Sequence, residues 1–159
     1  MVVYKSLNDI KKIKDTIVTI GAFDGLHKGH CAIFDKINSL SNINEKKVVV
    51  SFDPHPKTLF NPKSHKILID QKTKIKLLKN YKIDILFLVP FDETFANMSA
   101  ENFLSEVIVR FFNPKIILIG YDHCFGKNRT GDESFLKKYE KKYDYKTISL
   151  TPNKIGGEI

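Results

Sequence analysis

The chain has 159 residues, 42% apolar and 28% charged, with a net charge of +8. That balance excludes disordered and fibrous classes and fits one globular domain. No apolar run approaches the roughly 20 residues that cross a bilayer, and residues 1–6 lack the basic-then-apolar order of a secretion signal, so no membrane association and a cytoplasmic location are expected.

Cys31 and Cys124 have no ligand spacing and read as free thiols rather than a disulfide. The positive charge is dispersed over Lys11, Lys12 and Lys14, over Lys72, Lys74, Lys76 and Lys79, and over Lys137, Lys138, Lys141 and Lys142. These segments have helical periodicity and read as solvated helix faces, not as a nucleic-acid surface. The excess charge still favours encounter with small anions.

In chain order, residues 16–23 form a short apolar run that reads as a buried strand. A glycine-rich stretch, 21–30, leads into a segment with Ile33, Phe34, Ile37 and Leu40 at helical spacing. A second strand is expected over 46–52. Residues 53–70 then break the rhythm with Pro54, Pro56 and Pro62 and with His55 and His65, which points to a functional loop. Asp70 is placed to cap a helix carrying Ile75 and Leu78, and 83–89 reads as a third strand. Ser99 is placed to cap a helix with Phe103, Leu104, Val107, Ile108 and Phe111, followed by a strand over 115–120. Asp132 is placed to cap a helix with Phe135, Leu136 and Tyr139, and 145–150 reads as the fifth strand. Such alternation predicts an α/β, Rossmann-like doubly wound fold with a five-stranded parallel sheet.

The stretch 21–30 carries the chemistry. It lies where the first strand passes into the first helix, the end of the sheet where such folds bind ligands. Gly21, Gly25 and Gly29 remove side chains where backbone must turn or approach a ligand closely. The helix start offers free N–H groups and about half a unit of positive charge. His27 and His30, three apart, are expected on one side of the first turn, within reach of one phosphate. A polyphosphate beside them favours their charged form, which stabilises charge on a phosphoryl oxygen. Either histidine alone more often reads as a surface or satisfied core residue, and a zinc site lacks further ligands here.

This stretch resembles the His-x-Gly-His signature of the nucleotidyltransferase superfamily. Gly21, Phe23, Asp24, Gly25 and His27 resemble its FAD synthetase version; residues 51–56 resemble that family's second-strand exit, and 120–131 its fourth-strand exit. Residues 90–96 through Phe103 are also in the family's style. The resemblance implies a nucleotidyltransferase-type fold and transfer of AMP from ATP to FMN, giving FAD and pyrophosphate, with Mg²⁺ delivered on ATP. It implies that His27 and His30 bind the ATP phosphates and stabilise the transition state, and that Gly21, Phe23, Asp24, Gly25, Gly29 and Asp122 shape the nucleotide pocket. Asp53, Pro54, His55 and Pro56 are implied near the flavin; a rigid turn without ligand contact is the other reading. Asp122 also reads as a local cap, and Arg129 as either a phosphate contact or a solvent-facing residue. His123 and Cys124 stand where the family commonly has aromatic and basic residues.

By the same resemblance, residues 1–159 form an FMN adenylyltransferase domain that stops before the family's Ser-Ser/Thr-x-Ile-Arg motif, without the riboflavin kinase domain to which it is normally fused. Two other readings stay open: a flavin- or nucleotide-binding fragment without catalysis, and a sister nucleotidyltransferase with another phosphorylated acceptor.

Overall fold

The computed structural model describes residues 1–25, 27–60 and 68–151. Six strands form one sheet: β1 (Val2–Tyr4), β2 (Thr16–Ile20), β3 (Lys46–Asp53), β4 (Ile85–Pro90), β5 (Pro114–Gly120) and β6 (Lys146–Leu150). They lie in the order β1-β4-β3-β2-β5-β6 with every pairing parallel. All five expected strands are present. The sixth, β1, pairs Val2, Val3 and Tyr4 with Ile85, Leu86 and Phe87 at the sheet edge. Three residues are too few for a periodicity to register, so only the ladder reveals this strand.

The helices are α1 (Lys28–Leu40), α2 (Pro56–Phe60), α3 (Gln71–Asn80), α4 (Glu93–Ala96), α5 (Ala100–Asn102), α6 (Arg110–Phe112) and α7 (Glu133–Tyr143). A π-helical segment, Phe103–Val109, joins α5 to α6 in one continuous rod. Asp70, Ser99 and Asp132 each accept a backbone N–H with the side chain, as their positions predict. The rod stops at Asn113, which is left-handed at φ 39° and precedes Pro114.

Alternate strand residues point to opposite faces, and both faces are apolar. Ile17, Val49, Leu86 and Leu118 pack against Ile33, Phe34 and Ile37 of α1 and Leu78 of α3. Val18, Val50, Phe87 and Ile117 pack against Phe103, Leu104, Val107 and Ile108 of the rod and Leu136 of α7. This covering on both sides is what an all-parallel sheet requires.

From β2 the chain steps outward to β3 and β4 on one side, then returns to place β5 and β6 on the other. The order therefore reverses between β2 and β5, opening a crevice at their carboxyl ends. The first strand ends at Ile20, earlier than expected, because Phe23 is left-handed at φ 48° and turns the chain. The expected loop over 53–70 is helical from Pro56 to Phe60. Pro62 and His65 lie outside the described residues, as do residues 152–159.

Candidate functional site

The turn between β2 and α1 is built around Phe23. Phe23 is 1% exposed, and its ring makes a T-shaped contact with His30 at 5.2 Å and a tilted one with Phe34 at 5.1 Å. Left-handed backbone is costly for an aromatic residue, and burial of the ring offsets that cost. A side chain at position 21 would place its Cβ 2.9 Å from the Phe23 ring, so only glycine fits. Gly25 is left-handed at φ 76°.

His27 is the N-cap of α1 but makes no side-chain capping bond. Its ring stacks on that of His30 with centroids 3.7 Å apart and planes 24° from parallel. The first bond of this helix start runs from the Cys31 N–H to the His27 carbonyl at 3.1 Å. The amides of Lys28, Gly29 and His30 stand ahead of it, leaving the positive end of the helix open. Nδ1 of His30 is buried without a hydrogen-bond partner. Burial first, then the positive charges of His27 and Lys74, lower the His30 pKa to about 4, against the opposing pull of Asp24 and Asp122. The unliganded ring is thus neutral near pH 7. Near pH 7, a charged His30 requires an anion beside it.

A cleft of about 630 Å³ opens over this pair. Gly21, Phe23, Asp24, His27, Gly29 and His30 line one wall; Asp122, His123 and Arg129, beyond β5, line the other; His55 and Pro56 stand at its side. A smaller pocket of about 300 Å³ adjoins it, sharing Asp24, Phe52 and His55 and adding Asp53, Gln71 and Lys74. Both are of ligand-binding size. Gly25 and Pro54 line neither pocket.

The acidic residues have structural tasks as well. Asp24 accepts the amides of Leu68 and Ile69 at 3.0 and 3.2 Å. Asp53 accepts from Gln71 Nε2 at 2.5 Å, and Gln71 Oε1 accepts from Lys5 at 3.0 Å. His55 accepts the Lys57 amide at 3.1 Å through Nδ1, holding the start of α2.

Two residues in these pockets were not singled out from the sequence for the roles they take. The sequence places Lys74 on a solvated lysine face, yet it is 8% exposed. Its position four residues before the buried Leu78 was the available signal. His123 keeps some exposure, but its Nε2 is sealed from solvent and unpartnered. Burial chiefly, with help from Arg129 and against Asp122, lowers its pKa to about 4. No periodicity marks His123 in the sequence.

A parallel sheet with two stacked imidazoles and an open helix start at its switch point defines a nucleotidyltransferase-like α/β fold. The model of the FAD synthetase family matches residues 9–159, and the chain belongs to that family. It is 34% identical over 154 residues to the bifunctional riboflavin kinase/FMN adenylyltransferase of Buchnera aphidicola subsp. Schizaphis graminum, covering 95% of this chain and 49% of that protein. The crystal structure of a macrolide-efflux protein from Streptococcus pneumoniae matches with a TM-score of 0.83 and 28% identity, over 98% of this chain and 52% of that one. Pantoate-beta-alanine ligase from Francisella tularensis, complexed with beta-gamma ATP and beta-alanine, shares the fold alone: TM-score 0.60, 16% identity, 98% of this chain and 69% of that one. The chain spans about half the length of the curated relatives it matches.

Proposed function

We propose that this chain joins the AMP part of ATP to FMN, giving FAD and pyrophosphate. The observation that carries this reading is the stack of His27 on His30 at the open start of α1, in one cleft with Asp122 and Arg129. In this reading the ATP phosphates lie on the α1 amides and the two imidazoles. A phosphate oxygen of FMN attacks the α-phosphorus in line. The new P–O bond forms as the bond to the bridging oxygen breaks, and pyrophosphate leaves with the electron pair. Charge building on the phosphoryl oxygens draws His30 toward its protonated state and is stabilised by it. Positioning and electrostatics suffice, without a covalent enzyme intermediate.

Gly21, Phe23, Asp24, Gly25 and Gly29 shape the nucleotide side, with Asp122 and Arg129 opposite. Asp53, Pro54, His55 and Pro56 lie toward the flavin, beside the smaller pocket and Phe52. The described residues hold no group of three or more His, Cys, Asp or Glu side chains placed to hold a metal ion. In this reading Mg²⁺ arrives bound to ATP. The relatives are named for riboflavin kinase as well as FMN adenylyltransferase, and in this reading the FMN used here comes from such a riboflavin-phosphorylating step.

Incubation with FMN, ATP and Mg²⁺, followed by chromatography for FAD, tests the reading. FAD is expected from the parent chain, with a loss of about 10²–10³ in kcat on His30→Gln. Absence of FAD, both from this chain and from one extended to its relatives' length, overturns it. Nucleotide binding without turnover would leave a binding module in its place.

A further inference from the structure

Lys74 sits in the first turns of α3, where Asp70 caps the helix through the Thr73 amide at 2.7 Å and accepts the Lys74 amide on its carbonyl at 3.0 Å. The cap sets the first turn so that the Lys74 side chain runs inward between α3 and the sheet. Its ammonium donates to the Ala22 carbonyl at 2.7 Å and to Ser51 Oγ at 3.3 Å. The Ser51 hydroxyl in turn donates to the same Ala22 carbonyl at 3.0 Å. Two donors, from α3 and β3, thus grip one carbonyl of the turn that follows β2.

Burial disfavours the charge of this ammonium, and Asp24 and Asp53, which line the same pocket, favour it. The net effect is still a lowered Lys74 pKa, so the buried ammonium is costly, and an apolar side chain would fill the space at less cost. The position therefore serves a purpose that packing does not explain. Ala22 immediately precedes Phe23, and the Phe23 ring packs against His30 in a T-shaped contact.

We propose that Lys74 is a positioning residue for the histidine pair: by holding the Ala22 carbonyl it fixes the turn at Phe23, and that turn seats His30. Its charge also acts on His30. Lys74 from α3 and His27 at the start of α1 oppose protonation of that ring, while Asp24 of the turn and Asp122 beyond β5 favour it. Removing the ammonium both loosens the seat and lifts one of the two opposing charges.

The proposal relies on the adenylyltransferase reading only for its turnover measurement; the other measurement needs no substrate. NMR titration of the His30 imidazole in the unliganded chain is combined with FAD-forming kinetics for Lys74→Met, Lys74→Arg and Ser51→Ala. Lys74→Met is expected to move the His30 titration to higher pH and to lower kcat by about 10- to 100-fold, with the KM for ATP within about 3-fold of the parent. Lys74→Arg should keep the titration low and recover part of kcat. Ser51→Ala keeps the charge, so the titration should stay while kcat falls less than in the Met variant. Unchanged titration and turnover in Lys74→Met overturns the proposal, as do equal losses in the Met and Arg variants, which would mean packing alone. If Lys74→Met does not fold, Ser51→Ala decides, and full parental kcat overturns the proposal. A titration that moves, in a chain making no FAD, sinks the activity reading and leaves the positioning role standing.

Discussion

Binding of a nucleotide triphosphate is expected to place a proton on His30. With its pKa lowered to about 4, the unliganded ring is only about 1% protonated at pH 6. Phosphates beside it reverse the penalty of burial and of the neighbouring positive charges. A return to an ordinary value near 6.5 makes the bound ring about 75% protonated at that pH. About 0.7 proton is then taken up per site. The same linkage tightens binding as pH falls, by about 20-fold between pH 7 and pH 5. The ring is only partly buried, and solvent screening trims this to between about 5- and 20-fold. Calorimetric titration with a non-hydrolysable ATP analogue and Mg²⁺, in two buffers of different ionisation enthalpy, counts the protons. His30→Gln removes the protein's share and leaves the ligand's own protonation. Equal uptake in parent and variant would refute the reasoning, because the phosphates would then not face this ring.

Acid stability should depend on His123, whose pKa is lowered from 6.5 to about 4. As pH drops, the unfolded chain takes this proton before the folded one does, so stability is full above 6.5 and falls between 6.5 and 4. The loss reaches up to about 3 kcal/mol, and His123→Phe should abolish that component; urea midpoints at pH 7 and pH 4.5 compare the two, and parallel losses would sink the idea. His30 adds a more screened contribution of the same sign in both chains. Gly126→Ala should be strongly destabilising: φ is +73° and the new Cβ would lie 2.6 Å from the Ala100 backbone. Left-handed strain and overpacking together cost about 2–4 kcal/mol by denaturant unfolding, and a loss under about 0.5 would contradict the packing. Leu78→Ala, at a site with no exposure, should cost about 2–5 kcal/mol by the same measure.

The local signals of this chain were readable because their physics is local. Asp70, Ser99 and Asp132 cap helices through amides three residues away, so a short window of sequence contains both partners. The apolar runs of β2 to β6 carry their own burial in their composition. His27 and His30, three apart before a helical pattern, were bound to neighbour one another whatever the rest of the chain did. The state of that pair was not readable. Its neutrality comes from burial, from His27 beside it and from Lys74, 44 residues further along the chain, and a pKa responds to whatever the fold brings within a few ångströms. Lys74 itself looked like one lysine among several on a polar helix. Its burial depends on the Ala22 carbonyl and the Ser51 hydroxyl, which β2 and β3 deliver from elsewhere. Strand β1 exists only because the edge of β4 is there to pair with it. Short-range capping, spacing and apolar composition therefore reside in the sequence as written, whereas charge states, buried donors and the crevice itself arise when parallel strands place distant residues side by side.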